Sequence, residues 1–208
     1  MDRAAPRTVE RTVPDRDRAA RALSGATSPY ITVPSFIMLC GLRYVADPLT
    51  GLLYGAVLII TTVVAPLAYV VRLKRRGVVE SVHVRERAAR LGPLAAAAAG
   101  AALGTLAIWA LGAPSGVLRL AAMLVALAIA LLAATVLLKV SGHTAAWSSG
   151  AVVLAALYGW WALAALALVV PIAWARHALG SHTPIELAAG SVYGGLMAAA
   201  LAWLAGLP

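Results

Sequence analysis

Apolar and polar positions along this chain come in blocks and do not alternate. Residues 52–71 are apolar apart from two threonines, and 94–113 and 120–138 carry no charge. Each run reaches the roughly 20 residues that a helix needs to cross a bilayer core of about 30 Å. Residues 151–173 are equally apolar, but the pair Tyr158-Gly159 divides them, so the pattern predicts two short helices, 144–157 and 160–178, joined by a tight turn. A further span is expected over 183–207, and 30–45 reads as a weaker first one because Pro34 and Arg43 lie inside it. The fold class that follows is all-α: a polytopic transmembrane helical bundle of about six spans over residues 29–208.

Composition agrees with this picture. The chain is 62% hydrophobic and only 12% charged, unlike a water-soluble domain of 208 residues. Residues 1–28 differ, holding six arginines and four acidic residues with almost no large apolar ones. They are expected to form a basic N-terminal arm, disordered or lying on the lipid headgroups, and they lack the apolar stretch of a signal peptide. The net charge of +9 raises the possibility of nucleic acid, but the basic residues flank apolar spans and build no soluble domain, so membrane lipids are the expected partner. The single cysteine, Cys40, excludes an internal disulfide and a cysteine-built metal site.

Charge also orders the loops. Of the 17 Lys and Arg, six lie in the arm and seven between Arg72 and Arg90, leaving Arg43, Arg119, Lys139 and Arg176. If the loop at 72–91 lies on one face, the hairpin 94–138 returns the chain to that face at Lys139, and the pair 144–178 returns it again at Arg176. Three polar loops then converge, and together they hold all four histidines, His83, His143, His177 and His182. Such a cluster at span ends suits an anion. Ser141 is a natural N-cap, and Gly142 permits close backbone approach where the free N–H groups of the next helix point outward. His182 precedes Glu186 by four residues, so imidazole and carboxylate share a helix face, a pairing that fixes the tautomer and raises basicity. Two histidines, a carboxylate and several guanidinium groups suffice for phosphoryl transfer without a metal or other cofactor.

The segment Lys139-Val140-Ser141-Gly142-His143, followed 33 residues on by Arg176-x5-His182-x3-Glu186, resembles the second and third motifs of the type 2 phosphatidic acid phosphatase superfamily, P-S-G-H and S-R-x5-H-x3-D. The resemblance covers roughly residues 50–206, and the third motif matches in spacing residue for residue. Val140 stands for the motif's proline, Ala175 for its serine and Glu186 for its aspartate. The first motif, K-x6-R-P, has no strict counterpart; the nearest segment is "HVRERAARLGP", where Arg87 and Arg90 precede Pro93 two spans upstream of the second motif, as in a compact prokaryotic branch of the superfamily. The resemblance implies a prokaryotic integral membrane enzyme that hydrolyses a lipid phosphate, polyprenyl or phosphatidate-like, through a phosphohistidine. In that scheme His182 attacks phosphorus, Glu186 orients it, and His143 protonates the leaving group. Lys139, Ser141, Gly142, Arg176, Arg87 and Arg90 hold the phosphate.

Plainer readings compete. Thr183-Pro184-Ile185-Glu186 is a capping box with proline at the first helical position, so Glu186 could be closing a helix start. Arg75 and Arg76 follow from the topological bias of cytoplasmic loops, His83 and His177 match no motif position, and Trp147, Trp160, Trp161 and Trp174 read as interfacial belt residues. A transporter using His143, His182 and Glu186 as a proton relay, or a non-catalytic lipid-binding relative, would be the alternatives. The arm and the basic loop share a side if 30–45 and 52–71 both cross, which predicts a cytoplasm-facing site.

Overall fold

A computed structural model of the chain describes residues 15–78 and 87–207, with the side chains of 87–90 outside that set. All of its regular structure is helical: α1 (Asp15–Ala26), α2 (Pro29–Gly41), α3 (Pro48–Ile59), α4 (Ala65–Arg75), α5 (Arg87–Ala110), α6 (Ser115–Leu137), α7 (Gly142–Tyr158), α8 (Val169–Ala178) and α9 (Pro184–Leu204). A π-helical turn, Ile60–Val64, joins α3 to α4 without a break, and a 3₁₀ segment, Trp160–Leu168, leads into α8.

Among the described residues, five helices are long and apolar enough to cross a membrane: Pro48–Arg75, Leu91–Ala110, Ser115–Leu137, Trp160–Ala178 and Pro184–Leu204. The expected division at Tyr158 is present, because Gly159 takes φ 105°, a conformation that ends α7 and that a side chain would resist. The α7 helix has 17 residues, about 25 Å of rise, and α2 has 13, about 20 Å. By length alone neither joins the five.

Hydrogen bonds and contacts between helices give the helix directions. The α7 and α9 helices run parallel: Ser141 N–H donates to the Glu186 carbonyl (3.2 Å), Thr144 Oγ1 to the Leu187 carbonyl (3.0 Å), and Ser149 Oγ to the Gly194 carbonyl (2.9 Å). Glycine permits this approach, since a Cβ on Gly190 would stand 2.6 Å from the Ser141 carbonyl oxygen and one on Gly194 2.5 Å from that of Ala145. The 3₁₀ segment and α8 return antiparallel to α7, with Trp147 Nε1 donating to the Ala165 carbonyl at 2.8 Å. Trp147 also meets Phe36 edge-on, 5.7 Å between centroids, so it is half-buried between α2 and the 3₁₀ segment. Trp160 and Trp161 are exposed as a belt requires, with Trp109 and Trp203 beside the same end of the bundle.

The α2 helix runs parallel to α7, from Phe36 against Gly150 to the Tyr158 hydroxyl donating to the Leu39 carbonyl (2.6 Å). It therefore connects the end where α7 and α9 begin, the upper end, to the opposite, lower end. The α6 helix is antiparallel to α9, with Tyr193 OH on the Ala130 carbonyl and Arg119 Nη1 on that of Ala205. The chain thus collects α1, the C-terminus of α4, the N-terminus of α5, Lys139 and Arg176 at the upper end, and Arg43, Asp47 and Arg119 at the lower.

Residues 15–26 are the described part of the arm expected to be disordered or to lie on the lipid headgroups, and they are helical. They form a helix packed on α8, with Ala20 and Ser24 buried on its inner face. Ala20, Ser24 and Thr27 recur at helical spacing but are small and weakly apolar, which is why the hydrophobic pattern does not reveal a helix here.

Candidate active site

At the upper end the start of α7, the end of α8 and the loop between α8 and α9 bring polar side chains to one place. The α7 helix begins with Ser141 as N-cap, its Oγ accepting from Thr144 N–H at 3.5 Å. The next two residues, Gly142 and His143, line a cavity of about 350 Å³. The last turn of α8 contributes Arg176, and the loop 179–183 contributes His182; both side chains line the same cavity. His143, Arg176 and His182 are each only 5% exposed, so a cation and two imidazoles have been taken out of water together. Such burial is costly without compensating partners or a ligand.

Glu186 supplies one of those partners, in two roles at once. Its Oε2 accepts from Thr183 N–H (3.2 Å) while Thr183 Oγ1 accepts from Glu186 N–H (3.3 Å), closing the capping box of α9. The same Oε2 lies 3.0 Å from His182 Nδ1. The capping and orienting readings of Glu186 are therefore both present: a helix start anchored in α9 holds the carboxylate, and the carboxylate holds the ring. The other oxygen, Oε1, is 3.3 Å from Lys139 Nζ, a half-exposed ion pair. Lys139 is thus directed at Glu186 and stands outside the cavity lining, unlike Arg176.

Ser141 is fully buried and spends its groups on helix packing: Oγ on the cap, N–H on the Glu186 carbonyl. Gly142 is different, because a Cβ there would meet nothing within 4 Å, leaving open space at the helix start on the cavity side. Arg87 opens α5 with Arg90 in its first turn, but both side chains lie outside the described residues, as does all of His83. His177 is exposed and its Nδ1 lies 3.3 Å from the His182 carbonyl, bracing the loop that carries His182.

Two contributors were missed by sequence reasoning. Ser24 of α1 accepts from Arg176 Nη1 at 2.9 Å, and Ser181 N–H donates to the Arg176 carbonyl at 3.0 Å. A usable signal existed for the neighbouring corner: Ser28-Pro29 is an N-cap followed by proline at N1, which marks the start of α2 and so the position of Tyr30 in the cavity wall.

Below the polar cluster the cavity descends between α2, the α3–α4 helix, α5, α6, α7 and α9, and its walls become mainly apolar, with Phe36, Ile37, Leu58, Val117 and Leu124 among them. A buried cluster of two imidazoles and a guanidinium thus caps a mainly apolar hollow.

No protein-family model matches the sequence, no curated protein matches it, and no solved structure matches the fold.

Proposed function

We propose that the chain is a membrane-embedded lipid phosphate phosphatase that works without a metal through a phosphohistidine. The observation that carries this reading is the position of His182: paired through Nδ1 with Glu186, and lining one cavity with Arg176 and His143 directly above an apolar hollow. With Nδ1 on the carboxylate, the nucleophile is Nε2, and the positive charge that develops on the ring as it attacks is stabilised by Glu186.

In the first displacement the Nε2–P bond forms and the P–O bond to the leaving group breaks, in line, while His143 gives its proton to the departing alkoxide or phosphate. Arg176 and the N–H groups at the start of α7 balance the charge on the equatorial oxygens. In the second, water attacks phosphorus, His143 takes a proton from it, and the P–N bond breaks to return His182 and inorganic phosphate. The substrate is a lipid because the space continuous with the cluster is hydrocarbon-like and lies among candidate spans. A proton relay through the membrane fits less well: His143 is the second residue of α7, Arg176 lies in the last turn of α8 and Glu186 in the first of α9, all at helix ends.

In the membrane, α7 crosses beside α9 along its length, and α2, parallel to α7, takes the chain from the upper end to the lower before α3. The upper end then carries the described arginines of α1 and α4 together with the site, and the lower end only Arg43 and Arg119, which by charge bias makes the upper end cytoplasmic. The test is release of inorganic phosphate from a panel of polyprenyl and glycerolipid phosphates by detergent-purified protein in EDTA. Release that EDTA spares and orthovanadate blocks supports the reading; no release from any lipid, or release only with added metal, refutes it.

A further inference from the structure

The α1 helix reaches the site through one residue. Ser24 is 4% exposed, and its Oγ accepts from Nη1 of Arg176, itself 5% exposed, across 152 positions of sequence. The hydroxyl is not on a loose arm. Ala20, one turn earlier, is fully buried beneath α1, and the segment that follows Ser24 is tied to α2: Thr27 Oγ1 donates to the Leu23 carbonyl (2.8 Å), Thr32 Oγ1 to the Thr27 carbonyl (3.1 Å), and Ser28 Oγ caps α2 by accepting from Tyr30 N–H. Pro29 and Tyr30 then join the wall of the cavity that Arg176, His143 and His182 also line. The corner between α1 and α2 is thus a braced element carrying a hydroxyl to the guanidinium.

We infer that Ser24 is a positioning residue for anion binding: by accepting from one Nη of Arg176, it fixes the plane of the guanidinium so that the fork meets an oxyanion in the cavity in a single orientation. An arginine fork gains its specificity from fixed geometry, and a long side chain anchored at one nitrogen loses less rotational freedom when the anion arrives. Ser24 is therefore part of the site, carried to it by the described helix α1. The inference rests on the phosphatase reading for the identity of the anion, but its test is made on binding, independently of turnover.

The probe is orthovanadate, titrated by calorimetry into the purified full-length protein in detergent. Ser24→Ala should weaken its binding on the order of tenfold, the loss expected for one hydrogen bond to a charged group. Ser24→Thr, which keeps the hydroxyl, should stay close to wild type. Ala20→Gly loosens the same face of α1 without touching Arg176, and should lower the melting temperature while leaving vanadate affinity unchanged. Equal vanadate affinity in wild type and Ser24→Ala overturns the inference, as does equal weakening by Ala20→Gly and Ser24→Ala, or a wild-type protein that binds no vanadate. Vanadate binding with the expected Ser24 dependence but no phosphate release from any lipid would sustain the inference and remove the phosphatase reading instead.

Discussion

Gly190 sets the distance between the two halves of the proposed site, and Gly190→Ala measures how much that distance matters. The added Cβ would lie 2.6 Å from the Ser141 carbonyl oxygen, 2.7 Å from Thr144 Oγ1 and 3.0 Å from Ser141 N. Two of these are backbone atoms at a helix start, so no side-chain rotation relieves them. Restoring an ordinary contact of 3.4 Å requires α7 and α9 to part by about 0.8 Å. A shift of that size stretches the Ser141–Glu186 and Thr144–Leu187 bonds from 3.2 and 3.0 Å to about 4.0 and 3.8 Å, beyond hydrogen-bonding range. The overpacking costs about 1–3 kcal/mol, and the two broken bonds add about 1 kcal/mol each. In turnover the effect is larger, because His143 moves with α7 while His182 and Glu186 stay with α9; a misplacement near 1 Å costs on the order of 10²-fold in kcat. The comparison is Gly195→Ala on the same helix, whose Cβ would sit 3.9 Å from its nearest neighbours and should be neutral. Melting temperature in detergent and kcat on a lipid phosphate are measured for both variants. If Gly190→Ala matches Gly195→Ala in kcat, the α7–α9 spacing does not position the chemistry.

Other outcomes follow from the same geometry. His143→Ala should lower kcat by about 10²–10⁴-fold, and by less for substrates with better leaving groups, because it removes the proton donor; an equal loss for good and poor leaving groups contradicts that role. Lys139→Gln should cost less than about tenfold, as expected for a half-exposed ion pair to Glu186, whereas Arg176→Gln should cost on the order of 10²–10³-fold; comparable losses would show Lys139 contacting the phosphate directly. Val78→Cys in a Cys40→Ser background should resist a membrane-impermeant thiol reagent in intact cells and react after permeabilisation, and labelling in intact cells would place the upper end outside.

What could be read from the sequence was whatever its local chemistry determines. Gly159 needed a positive φ and divided the long apolar run; Thr183, Pro184 and Glu186 fixed the start of α9; the four-residue step from His182 to Glu186 put ring and carboxylate in contact. What escaped was decided by neighbours. The α1 helix is built on Ala20 and Ser24, whose burial depends on α8 being there to cover them. The contacts of Trp147 with the Ala165 carbonyl and the Phe36 ring depend on the 3₁₀ segment and α2 packing against α7. The contact of Lys139 with Glu186 Oε1, while Oε2 serves His182, depends on α7 and α9 starting side by side, which spacing along the chain does not show. The parallel pairing of α7 with α9 rests on Gly190 and Gly194, and glycine in an apolar run reads equally well as a weak point in a helix.

The central claim is that His182 forms a covalent bond to phosphorus. It is tested most directly by mixing the protein with a lipid carrying a radiolabelled phosphate, quenching within the first turnovers in alkali, which preserves phosphohistidine, and mapping the label to a peptide by mass spectrometry. The account expects label on the peptide containing His182, none in His182→Ala despite a folded protein, and loss of the label on exposure to acid. Full phosphate release with no labelled peptide, or label that persists in His182→Ala, would contradict it.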